Sequence, residues 1–237
     1  DVLKSVEEAT GRPVIVQPND SLGTLLAKIT IARGSAPAHV VAYKPSAGAS
    51  ADFVICFQCG FLLRMFQIPQ PDRFALAGSV RGRQEIEKVL ADHLKKQGMS
   101  LNKQVQAGLQ EQFLGGILQQ LRSMPIGLRV DAWIRQTYPS LEEQQKKAII
   151  QQLNDNAMSL GPQVRQIAPA SVFRANVGMN AAFALFWSRT WSDPLLAVPY
   201  KASGHFTTGE ELLRKWDEIP SDPANDRKLI ESWASHV

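Results

Sequence analysis

"DFVICFQCGFLLRMF", residues 52–66, decides the fold. An apolar run of this length, following the loop "SAGAS" and capped by Asp52 or by Ser50 just before it, predicts a helix. A helix that is oily on nearly every side belongs in the middle of a protein, so this segment is expected to be central. Gln58 is then its odd member, because a buried amide needs hydrogen-bond partners. Gln58 and Arg64 interrupt the run, which falls short of the ~20 apolar residues that cross a bilayer.

Upstream, the signals change period. "DVLKSVEEATG" has helical spacing and stops at Gly11. "RPVIV", "LLAKITIAR" and "HVVAYKP" are rich in β-branched residues and bounded by turn residues, so they read as three strands. Beyond residue 80 the strand signals fade. Helices are expected over 83–98 and 100–124, the latter stopped by Pro125, and then near 126–136, 140–155, 170–190, 208–217 and 223–235. This is an α+β pattern: a small N-terminal mixed sheet packed on the buried helix, then a largely helical remainder. With no repeat and no clear linker, 1–237 reads as a single domain with a β-containing part, 1–80, and a helical part, 81–237.

Composition narrows the function classes. The apolar share of 44% supports a real core, and a net charge of +4 is too mild for a strongly basic nucleic-acid binder. Cys56 and Cys59 are the only cysteines, so no disulfide framework exists, and a reducing, cytoplasmic setting is expected. No signal peptide is legible, and no membrane partner is expected. Phosphate-loop, dinucleotide and Gly-x-Ser-x-Gly signatures are missing.

The central helix also resembles a known active helix. Laid over "ICFQCGFLLRMF", the H-E-x-x-H pattern of zincin metallopeptidases puts its histidines on Phe57 and Phe61 and its glutamate on Gln58, with Gly60 matching a glycine common in that motif. The apolar flanks and the preceding strand "HVVAYKP" are similar to those of the ImmA/IrrE-like members. "LQEQFLGGILQQLRSMP" resembles the helix that supplies their third, acidic ligand, in the neighbourhood of Glu111. The resemblance covers about residues 10–130, and every chemically decisive position differs. Phenylalanine offers a metal no lone pair, and neutral glutamine is a poor proton acceptor at pH 7. What the resemblance implies is therefore a pseudo-enzyme without metal or cofactor, keeping a scaffold and a groove. Its implied role is to bind another protein, or an extended peptide segment, by pairing along the strand at 38–44. His39, Tyr43, Gln58 and Arg64 are the binding residues this reading nominates.

Two other readings stand beside it. An enzyme of non-zincin chemistry would draw on Cys59, His39 and Asp52, although a thiol in mid-helix flanked by phenylalanines has little access. A nucleic-acid-associated regulator would use Arg122, Arg129 and Arg135, whose spacing is close to helical and which accompany Trp133 and Tyr138. The Thr-Gly-Glu-Glu run after His205 reads as a helix-capping signal at Thr207 or Thr208.

Overall fold

The fold is described from a computed structural model, which describes residues 1–23, 25–74 and 78–237. Helix α1 (Val2–Thr10) opens on an Asp1 cap, whose Oδ1 accepts from the Leu3 amide at 3.0 Å, and closes on Gly11 at φ 71°. Strands β1 (Val14–Pro18), β2 (Ala27–Thr30) and β3 (His39–Tyr43) follow. A short 3-10 turn, Pro45–Ser50, then feeds α2 (Ala51–Gln67). The remainder is helical: α3 (Val80–Lys96), α4 (Lys103–Thr137), α5 (Glu142–Met158), α6 (Pro162–Ile167), α7 (Ala170–Trp191), α8 (Val198–Ala202), α9 (Phe206–Glu218) and α10 (Asp226–Ala234). The α+β arrangement expected from the sequence is what the chain adopts.

Pro125 does not stop a helix. Helix α4 runs straight through it, although a proline interior to a helix forfeits a hydrogen bond at a cost of ~3 kcal/mol. The loss is offset by burial on both sides, since Leu121, Met124, Ile126, Leu128 and Val130 are all in the core.

Two compact units share the chain. The first comprises Asp1–Arg73, Ile126–Gln152 and Ser221–Asp226; the second comprises Phe74–Pro125, Leu153–Pro220 and Arg227–Val237. The sheet-bearing unit thus draws helical segments from well beyond residue 80.

In the first unit the strand order is β1-β3-β2, with β1 parallel and β2 antiparallel to β3. Register puts Val16, Val41 and Ile29 on one face and Ile15, Val40 and Thr30 on the other. The first face is covered by α1 and α2, where Val6, Val41, Cys59 and Leu62 form a closed cluster ringed by Val14, Val16, Ile29 and Ile55. On the opposite face Ile15, Gln17, Lys28 and Thr30 are exposed.

The second unit is built around α7, whose Val177, Met179, Ala181, Ala182, Ala184 and Trp187 are wholly buried. Helix α9 packs on it at glycine notches. A Cβ on Gly209 would stand 2.7 Å from the Ala181 Cβ and 2.9 Å from that residue's backbone, so only glycine lets the two helices approach this closely. The Trp216 indole, on α9, donates to the Pro125 carbonyl at 3.1 Å.

Candidate functional site

Helix α2 is less enclosed than its composition predicts. Phe53, Val54, Cys56, Cys59, Gly60 and Leu62 are buried, while Phe57, Gln58, Phe61 and Arg64 are only half-buried. Together with the preceding turn, Pro45–Gln67 is long and apolar enough to cross a membrane by length and composition. Its apolar residues are nevertheless engaged within the unit, by the sheet and α1 on one side and by α4 on another.

The contact with α4 occupies the face where the motif would lie. Phe57 and Phe61 stand one turn apart with ring centroids 5.2 Å apart, edge to face. A Cβ on Gly127 of α4 would come within 3.3 Å of the Phe57 ring and 3.8 Å of the Phe61 ring. The notch is reciprocated: a Cβ on Gly60 would meet Val130 at 2.6 Å and Trp133 at 3.0 Å. Each helix gives a glycine to the other's large side chains, which explains why so oily a helix carries Gly60 at its centre. Gln58 makes no side-chain hydrogen bond among the described residues. Glu111, nominated near a third ligand position, belongs to the second unit and pairs with Arg83. Among the described residues no group of three or more His, Cys, Asp or Glu gathers as metal ligands would.

The nominated binding residues separate. His39 does not face a groove: it has no exposed surface. Its Nδ1 accepts from the Ala32 amide at 3.0 Å, which leaves the ring proton on Nε2, 3.1 Å from the Thr10 hydroxyl. Burial, and then the nearby Arg12 guanidinium, hold its pKa below the usual histidine value. His39 is a neutral strut joining α1, β3 and the chain after β2. Tyr43, half-buried, ends β3, and its carbonyl accepts from the Asn19 amide at 2.8 Å.

Arg64 is likewise committed internally. Its Nε lies 2.6 Å from Asp226 Oδ2 and its Nη2 2.7 Å from Oδ1, a bidentate fork, and Nη2 also donates to the Ser221 carbonyl. Arg129 Nη1 reaches the same Asp226 at 2.9 Å, with side chains only 2% and 6% exposed. One carboxylate therefore serves two guanidiniums inside the first unit. Burial lowers the Arg129 pKa and Asp226 opposes that shift.

This arrangement also takes Arg129 out of the expected arginine face: it is buried in the Asp226 pair, while Arg135 is half-buried and Arg122, in the second unit, is exposed. The cysteine route fails on chemistry. Both thiols are buried, and desolvation pushes each up to about 12, far from a nucleophile's range.

Edge pairing along 38–44 is excluded by topology. Strand β3 is the middle strand, with β1 on one side and β2 on the other. The outer edges of the sheet belong to β1 and β2, and that of β1 can be read from its ladder. The His39 amide donates to the Pro13 carbonyl at 2.9 Å and the Asn19 amide to Tyr43, so the odd-numbered residues of β1 face β3. Val14 and Val16 therefore turn their N–H and C=O groups outward. Pro18 occupies the next outward position, where its missing N–H costs no ladder bond. Ile15, between the two valines, is 50% exposed on the uncovered face.

Sequence reasoning missed Asp226 and Asp131. Asp131 is buried on α4, held by Gln145, whose Nε2 donates to its Oδ1 at 3.0 Å, and desolvation raises its pKa to about 7. A charged residue in the apolar stretch "IGLRVDAWI" is the only trace it leaves. In comparisons with known proteins, no family model matches the chain, and no curated protein or solved structure matches it either.

Proposed function

We propose that this chain works by binding, as a non-catalytic regulatory or scaffold module that captures an extended segment of another protein on the outer edge of β1. The observation that carries the reading is the edge itself: two outward N–H groups and their carbonyls at Val14 and Val16, a half-exposed Ile15 between them, and a proline that ends the edge. Main-chain pairing would supply affinity, and the alternating side chains would supply selectivity. The location moves from β3 to β1 because β3 has no free side.

The zincin-like ancestry remains part of this proposal. It is supported by the two-helix arrangement of α2 and α4, in which aromatic carbon from Phe57 and Phe61 fills the face that would hold a metal. A cytoplasmic setting fits two unpaired, buried thiols.

The reading is tested by panning the intact chain against a library of extended peptides and mapping amide hydrogen exchange on the captured complexes. Protection at Val14 and Val16 is expected, with binding abolished in Val16→Pro, which removes an outward donor and no bond to β3. Unchanged binding by Val16→Pro, or protection confined to other segments, overturns it. Stoichiometric zinc bound at α2 in the purified protein would overturn the pseudo-peptidase part.

A further inference from the structure

We propose that Arg165 and His205, in contact with Phe173 in the second unit, form with the neighbouring Arg174 a binding site for a compact oxyanion of the phosphate class. The site belongs to the second unit, and its reading does not depend on that of the β1 edge. Phe173 is its fixed point, a core residue of α7 only 8% exposed. The Arg165 guanidinium, from α6, lies over the Phe173 ring with its Cζ 5.1 Å from the centroid. The His205 ring, from the residue just before α9, meets Phe173 edge to face at 5.5 Å. Arg174 is the next residue of α7. Two separate elements thus bring a cationic and a protonatable group to one buried aromatic, and Arg174 follows that aromatic in the chain.

Among the described residues no Asp or Glu forms an ion pair with this cluster. In the same unit Arg83, Arg189, Arg214 and Arg227 each hold an Asp or Glu. Among the described residues neither Arg165 nor Arg174 is ion-paired, and both are exposed. The nearest acids along α9 are Glu210 and Glu211, and Glu211 is engaged by His236. His205 registers the imbalance: burial, then Arg165, then Arg174 lower its pKa. Unbalanced like charge held around a rigid group is costly alone and favourable with an anion between the forks.

The chemistry selects the ligand class. Guanidinium forks match tetrahedral oxyanions through paired N–H donors, and an imidazole adds one more donor. Phe173 is covered, so it offers no free face for a nucleobase to stack on, which argues for recognition by charge and geometry.

The experiment follows the His205 imidazole by NMR in the full chain, with its signal assigned by its loss in His205→Gln. Potassium phosphate is titrated at constant ionic strength and neutral pH, and glycerol 3-phosphate is titrated in parallel. A saturable shift of His205, with His93 and His236 unmoved, is expected. Weakening by about tenfold or more is expected in Arg165→Gln/Arg174→Gln. Tighter binding of glycerol 3-phosphate would assign a phosphate monoester, and equal or weaker binding the free ion. Failure of His205 to saturate below about 50 mM phosphate overturns the proposal, as does an equal shift at His93, His205 and His236. The wild-type titration decides this even where the double variant does not fold. A folded double variant that binds like the wild type also overturns it.

Discussion

The two units keep different things inside. Of the seven buried polar or charged residues among those described, six lie in the first unit: His39, Ser50, Arg129, Asp131, Gln145 and Asp226. The second unit buries only Asn180, whose amide exchanges hydrogen bonds with Gln120, Asn176 and Ser159. Its interior is otherwise apolar, and Phe183, Phe186, Trp187, Trp191 and Trp216 are linked in it by successive ring contacts. The first unit therefore stakes its stability on charge placement and the second on shape. Their responses to pH and to single-atom changes should differ accordingly.

The largest effect is expected at Asp226. Asp226→Ala removes the carboxylate shared by the buried Arg129 and the half-buried Arg64 and should destabilise the chain by roughly 3–5 kcal/mol in denaturant unfolding. Replacing Arg64, Arg129 and Asp226 together by apolar residues of similar volume should recover most of that loss. A small effect of Asp226→Ala would remove the contrast between the units.

Asp131 should act in the opposite sense. Its folded pKa, about 7, lies above the unfolded carboxylate value of roughly 4, so the native state holds a proton that the unfolded chain releases. This contribution is most favourable below pH ~4, declines as pH rises, and has been fully lost above pH ~7. Asp131→Asn should therefore stabilise the protein by about 2–4 kcal/mol at pH 8 and by little at pH 4, read from chemical melts at both. His39 contributes the reverse slope, since its lowered pKa makes stability fall as pH drops through 6.5.

In the second unit the sharpest test is Gly209→Ala. The added methyl meets Ala181 backbone, which cannot turn aside, and should cost about 1–3 kcal/mol at every pH. A pH-dependent loss there would blur the distinction. The smallest change is expected for Asp217→Asn. The Arg189–Asp217 pair is well formed at 2.7 Å but about half exposed, so its removal should cost under ~1 kcal/mol and less at high salt.

Local patterns in the sequence carried much of this fold. The helix at 52–66 and the strands at "RPVIV", "LLAKITIAR" and "HVVAYKP" are legible because apolar period and turn residues act within a few positions. The exposed role expected for β3 was not legible, since strand order depends on which edges meet in space. His39 at a strand start looks accessible until Thr10 and Ala32 are seen to close on it. Arg64 and Asp226 are 162 positions apart, a pairing no local window contains. Pro125 misled because its helical cost is local while the burial that offsets it is tertiary. Helix α9 begins at Phe206, and neither Thr207 nor Thr208 caps it.

The two thiols of α2 have a practical use. With Cys56 and Cys59 raised to about 12, the native chain exposes almost no thiolate at pH 8, whereas an opened chain reacts at the rate of an ordinary cysteine. An alkylating reagent then acts as a clock for excursions of the sheet-bearing unit, counting how often its interior is breached with no engineered label.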